Sequence, residues 1–244
     1  VLPVVNLLAR VAMAFTVQDI MMSENRLLKA ADEASARQIL ARQQDFDIIP
    51  ICKNGEILRY MQRGSAVGKV IVITEAIAET TPLLDLVDVL VTRPFCFIQS
   101  NNRVIGYVHF SDLNNSLVKY PFEMLAEALG RQILGFFETQ LNEDTLTKIV
   151  GTKRWTAIQE RAALDRRNRS DLGLANYLTF GEILMAAKHF NLVEISGAEM
   201  ETIKPLRALA EHTTEILIPD YQAVKNLAAA KAVCMGLLQK VSTT

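Results

Sequence analysis

The sequence predicts an α+β chain of two domains, and three observations predict it. The first half repeats itself: the segment Asp47 to Met61 aligns without a gap on Pro94 to Val108, 47 residues further on. From Ser116 onward strand signals stop and apolar residues recur at helical spacing. Half of the 244 residues are apolar, enough for a sizeable core. A unit as short as one copy cannot bury both its faces, so the two copies are expected to fold against each other.

In the first copy, Asp32 to Gln44 carries Ala36, Ile39 and Leu40 on one helical face. Strands are expected over Ile48 to Cys52 and Glu56 to Met61, joined by a turn at Asn54-Gly55, where positive φ is tolerated. In the second copy, Thr81-Pro82 reads as a helix start with Thr81 as the cap, and Leu83, Leu86, Val87 and Leu90 form its buried stripe. Strands Phe95 to Gln99 and Arg103 to His109 follow, turning at Asn101-Asn102.

Beyond Ser116, the span Tyr120 to Leu141 reads as a long amphipathic helix through Phe122, Leu125, Leu129, Ile133, Phe136 and Phe137. Asn142 to about Arg169 is polar, with Leu146, Ile149, Trp155 and Ile158 facing in and a basic run, Arg166 to Arg169, at its end. That run reads as a solvated helix end before it reads as an RNA track. Thr179-Phe180-Gly181-Glu182 and Ser196-Gly197-Ala198-Glu199 are capping boxes. Pro205 interrupts the helix begun by the second box, Leu206 to Ile218 forms the next, and Asp220 caps the last. Short connections suggest an antiparallel all-α bundle of about five helices. The domains are therefore placed at residues 1–115, beginning with an N-terminal helix, and 116–244.

Composition narrows the function. A net charge of −1 argues against a wholly basic nucleic-acid surface. Cys52, Cys96 and Cys234 have no CxxC spacing and fit reduced cysteines of a cytoplasmic protein, with no metal centre expected. Val1 to Phe15 is apolar but interrupted by Pro3, Asn6 and Arg10. It is too short to span a bilayer and lacks the features of a secretory leader, so no membrane association is expected.

The opening Val17-Gln18-Asp19-Ile20-Met21 and the closing Arg103 to Leu113, with Gly106-Tyr107-Val108-His109-Phe110-Ser111-Asp112, resemble a tandem pair of cystathionine-β-synthase (CBS) domains over about residues 15–115. The resemblance implies a tandem β-α-β-β-α CBS pair, known as a Bateman module. It also implies an adenine nucleotide (AMP, ADP or ATP) as a regulatory ligand, bound by a G-x-x-[ST]-x-x-D motif whose Asp holds the ribose hydroxyls. Gly106 and Asp112 match that motif. His109 replaces the usual hydroxyl residue, and Ser111 stands nearby as a substitute. In the first copy Arg59 and Ser65 occupy the Gly and Asp positions, so at most one site per chain is expected, near Asp112. The alternative for Asp112 is a helix cap.

The second half, with Leu206-Arg207-Ala208-Leu209-Ala210-Glu211-His212, resembles the HEPN superfamily over about residues 116–240. That resemblance implies a metal-independent ribonuclease with Arg207 and His212 as catalytic residues, meeting in a groove of a homodimer and needing no catalytic cofactor. Chemically, His can move the 2′-hydroxyl proton and Arg can stabilise the phosphate. Ala208 stands where active members carry a polar residue, which leaves cleavage open. Two functions follow as expectations. One is a nucleotide-responsive regulator controlling an RNA-binding or RNA-cleaving bundle. The other is a non-catalytic interaction protein with a degenerate CBS pair.

Overall fold

The computed structural model describes residues 15–137, 142–168, 173–192, 194–203, 206 and 217–243. The protein is α+β and divides into two units. The first comprises the described part of Ala12–Val118 together with Ile218–Val224; the second comprises the described parts of Lys119–Leu217 and Lys225–Thr244.

In the first unit the strands are β1 (Met22–Ser23), β2 (Ile48–Lys53), β3 (Glu56–Gln62), β4 (Lys69–Val70), β5 (Ile77–Ala78), β6 (Phe95–Ser100) and β7 (Arg103–His109). Helix α1 (Glu33–Arg42) precedes β2, and α2 (Leu83–Thr92) precedes β6. One sheet runs β1-β7-β6-β5 and the other β2-β3-β4.

The 47-residue repeat extends to the hydrogen-bond register. Ile48 pairs with Gln62 as Phe95 pairs with His109, and the ladders are bulged at the same place, Ile51/Cys52 and Ile98/Gln99. Both hairpins turn through left-handed residues, Asn54 (φ 53°) with Gly55 (φ 80°) and Asn101 (φ 51°) with Asn102 (φ 59°). The parallel partner of each inner strand repeats too: Ala30 bridges Ile51 as Ile77 pairs with Ile98.

The edge strands are exchanged between the repeats. β1 belongs in sequence to the first repeat but pairs with β7 of the second, Met22 opposite Tyr107 and Ser23 opposite Gly106. β4, the counterpart of β1 47 residues further on, belongs in sequence to the second repeat but pairs with β3 of the first, Lys69 opposite Tyr60 and Val70 opposite Arg59. Each sheet is thus completed by a strand from outside its own hairpin. Leu27, Ile48, Ile57, Phe95, Phe97 and Val104 form a core drawn from both hairpins. Ala36 and Leu40 of α1 pack on Ile49, Ile51 and Met61. Leu83, Leu86, Val87 and Leu90 of α2 are fully buried, as the periodicity requires.

The structure departs from the expected elements in two ways here. The cap of α2 is Pro82, not Thr81, and it makes no side-chain cap bond; Phe15 O instead accepts from Leu83 N–H at 3.1 Å. The first copy has no helix after β3. Only Arg63 to Gly68 separates β3 from β4, and Gly64 there adopts φ 76°, so the span is too short and too permissive for helical turns.

Ile218–Val224 belongs to this unit through specific bonds. Ile218 N–H donates to Asn114 Oδ1 at 2.8 Å, and Asn114 Nδ2 donates back to Ile218 O at 2.9 Å. Tyr221 Oη donates to Val91 O at 2.9 Å, and its ring packs on Phe110 with centroids 5.5 Å apart.

The remaining helices are α3 (Ser116–Phe137), α4 (Glu143–Val150), α5 (Thr152–Arg167), α6 (Phe180–His189), α7 (Gly197–Thr202) and α8 (Tyr221–Thr243). α3 starts at Ser116, one turn before the expected Tyr120, so Pro121 lies in its interior. Gly151, at φ 80°, divides the polar stretch into α4 and α5. Phe122, Leu125, Leu129 and Ile133 of α3 are buried, as are Leu146, Trp155 and Ile158. Both capping boxes form, at Thr179/Glu182 and Ser196/Glu199, and Asp220 accepts from Ala223 N–H at 2.9 Å. No described helix is long and apolar enough to cross a membrane.

Candidate functional site

Gly106, His109, Ser111 and Asp112 lie along the end of β7 and the 3-10 turn Phe110–Asn114 that follows. Gly106 is a packing glycine: a Cβ there would lie 2.6 Å from Met22 O of β1. Its equivalent, Arg59, faces the looser strand β4. There its guanidinium pairs with Glu33 at 2.7 Å and donates to Gly68 O at 2.8 Å.

The other three form a capping box. His109 is the N-cap residue, and its backbone N–H donates to Asp112 Oδ2 at 2.8 Å. His109 Nδ1 lies 2.8 Å from Ser111 Oγ and accepts from Ser111 N–H at 3.4 Å. Asp112 thus performs a capping role, at the third turn residue and not as the N-cap itself. Burial raises its pKa above the ordinary carboxylate value, against the lowering effect of the His109 N–H bond and the His109 charge.

A cleft of ≈ 270 Å³ lies elsewhere in the same unit, lined among others by Tyr60, Lys69, Val70, Glu75, Arg93 and Phe97. Its floor is aromatic. The Tyr60 ring stands 5.5 Å from Phe95 and 5.2 Å from Phe97, centroid to centroid. Two cations, Lys69 and Arg93, and one carboxylate, Glu75, also line the cleft. Lys69 Nζ donates to Gln62 Oε1 at 2.8 Å and stands 5.9 Å from the Tyr60 ring centroid, and Arg93 donates to Glu75 O at 2.7 Å. Burial, and next the Glu75 charge, raise the Tyr60 pKa, so its phenol stays protonated.

Cys96 also lines the cleft, but burial pushes its thiol up to about 12, which makes it a poor nucleophile. Among the described residues no group of three or more His, Cys, Asp or Glu side chains could hold a metal ion. The cleft is equipped to bind, through aromatic surface and two cations.

The repeat relates this cleft to the His109 region. Gln62 and Pro94 line the cleft, and their partners 47 residues away are His109 and Asp47. There His109 Nε2 lies 3.5 Å from Asp47 Oδ2. Tyr60, Lys69 and Arg93 stand in no motif of the sequence. The signal for them was the repeat itself, since Tyr60 matches Tyr107, but the cations sit on elements where the repeat has diverged.

Arg207 and His212, expected as catalytic residues, lie outside the described residues, as does Ala208. No family model matches the chain, and no curated protein matches it.

Proposed function

We propose that this protein is a ligand-responsive regulator, in which a CBS-type α/β pair binds an adenine nucleotide and controls a HEPN-like helical module that binds or cleaves RNA. The observation that carries the reading is the cleft. An aromatic floor suits a base, and two cations at the rim suit a phosphate. The 47-residue repetition of strands, bulges and turns supports the assignment of the α/β unit to a tandem CBS pair. The nucleotide is assigned to this cleft, with Lys69 and Arg93 on its phosphate and Tyr60 beside its base. Asp112 is assigned the capping role, because its Oδ2 accepts the His109 N–H.

Calorimetry of the full chain with AMP, ADP and ATP tests this. Lys69→Ala and Arg93→Ala should each weaken binding by roughly 1.5–3 kcal/mol, the usual worth of hydrogen bonds to a charged group. Asp112→Asn should leave binding unchanged. Loss of binding in Asp112→Asn alone would return the site to Asp112. Output is tested by RNA cleavage in EDTA with and without nucleotide. His212→Ala should abolish any cleavage, since removing a general base costs about 10²–10⁴-fold.

A second reading, an interaction protein with a degenerate pair and no catalysis, is favoured by the capping box. His109, Ser111 and Asp112, three of the four residues expected at the nucleotide, bond to one another. Calorimetry without heat for any of the three nucleotides would establish it.

A further inference from the structure

His109 sits where the two repeats meet, and its two ring nitrogens face different elements. Nδ1 faces Ser111, accepting the N–H that opens the turn Phe110–Asn114, and this turn leads into α3. Nε2 faces Asp47, in the segment just before β2 of the other repeat, at 3.5 Å. Nε2 is shielded from solvent, and the group it faces is the Asp47 carboxylate. With Nδ1 assigned as the acceptor of the Ser111 N–H, the single proton of the neutral ring is on Nε2, toward the Asp47 carboxylate.

We propose that His109 is a proton-operated connector, capping the turn into α3 while neutral and exchanging that cap for an ion pair with Asp47 when protonated. A second proton must go to Nδ1. It abolishes acceptance from Ser111 N–H, leaving that nitrogen able only to donate to Ser111 Oγ. The imidazolium is at the same time drawn toward the Asp47 carboxylate. The charged groups acting on the ring are Asp47 from the first repeat and Asp112 from the turn itself. Tyr107, on the same strand, lies in the field of both carboxylates and is held neutral by burial, with its pKa at about 12. Phe110 covers the ring, with centroids 4.3 Å apart. Burial outweighs the two carboxylates and lowers the His109 pKa from its ordinary value. The neutral, capping form is therefore the one present at neutral pH, and acidification drives the exchange. The inference does not depend on whether the cleft takes a nucleotide.

The full chain carries His109, His189 and His212 as its only histidines, so the ring signals can be assigned by single substitutions. Ring nitrogen–proton correlation spectra of the wild type should show His109 as the Nε2–H form at neutral pH, titrating below 6.5. As the ring titrates, the Ser111 amide should lose hydrogen-exchange protection beyond the intrinsic pH dependence. His109→Asn supplies an N-cap acceptor that does not titrate, and should remove that extra loss. Asp47→Asn should lower the His109 pKa further. A neutral ring protonated on Nδ1 overturns the proposal, and so does a Ser111 exchange profile identical in wild type and His109→Asn. The wild-type tautomer decides the first point even if neither variant folds.

Discussion

Gly106 of β7 and Met22 of β1 are in backbone contact, with the Met22 carbonyl oxygen 2.6 Å from the point a Gly106 Cβ would occupy. The contact is the tightest mark of the strand exchange, because β1 belongs in sequence to the first repeat and in space to the second hairpin. A methyl group there must push β1 off β7. Gly106→Ala should cost about 1–3 kcal/mol of stability, the usual range for overpacking. Urea unfolding followed by circular dichroism measures it. An unchanged midpoint would mean that β1 is not held against β7.

The second prediction concerns Tyr221. Its hydroxyl donates to Val91 O, and Ile218 exchanges two bonds with Asn114, so the α/β unit includes Ile218–Val224. Tyr221→Phe should destabilise this unit by about 0.5–1.5 kcal/mol, the net worth of one hydrogen bond. A chain ending at residue 115 should melt below the α/β transition of the full chain, because it lacks this segment. Equal melting of the two would show the segment to be dispensable.

The third concerns Asp112. Its folded pKa is raised, so the folded state holds the proton more tightly than the unfolded state does. Stability from this group is therefore greatest at low pH and is lost as pH rises from about 4 through the folded pKa. Asp112→Asn keeps an acceptor for the His109 N–H and removes the buried charge. It should equal or exceed wild type in stability at pH 7, with the advantage shrinking toward pH 4. Denaturant midpoints across that range provide the check, and an Asn variant weaker at pH 7 would contradict it.

The fourth concerns Glu182. Burial works to raise its pKa, but bonds from Arg154 and Thr179 hold it below the ordinary value. Arg154 Nε reaches it at 2.8 Å, and Thr179 N–H donates to it at 2.7 Å. Stability from this group is present above the unfolded carboxylate pKa of about 4.3 and disappears as pH falls through the folded value. Glu182→Ala should cost roughly 1–3 kcal/mol, because Arg154 and the start of α6 both lose a partner. Trp155, the only tryptophan, is buried beside Arg154 in sequence and reports on the helical unit by fluorescence. A fluorescence transition at the wild-type denaturant concentration would refute it.

Local chemistry made much of the fold legible. The helix stripe Leu83, Leu86, Val87 and Leu90 is buried because helical spacing places those side chains on one face. The Asn54-Gly55 and Asn101-Asn102 turns follow from residues that tolerate positive φ. Both capping boxes follow from hydroxyl and carboxylate spacing. The gapless repeat carried the hairpin register with it, since one slipped residue would turn every apolar side chain outward.

What the sequence determined by itself was thus the repeat, its hairpins and the helical second half. Tertiary structure alone decided where the edge strands pair, what Gly106 packs against and where the cleft lies. β1 and β4 are two-residue strands with no hydrophobic period to read, so only packing could assign them to opposite repeats. Gly106 fits a ligand motif in sequence, and only the position of Met22 shows the close backbone contact it makes. Lys69 and Arg93 are ordinary cations in sequence. They line one cleft because strand exchange carries β4 beside β3 and sheet packing brings the start of β6 to face them.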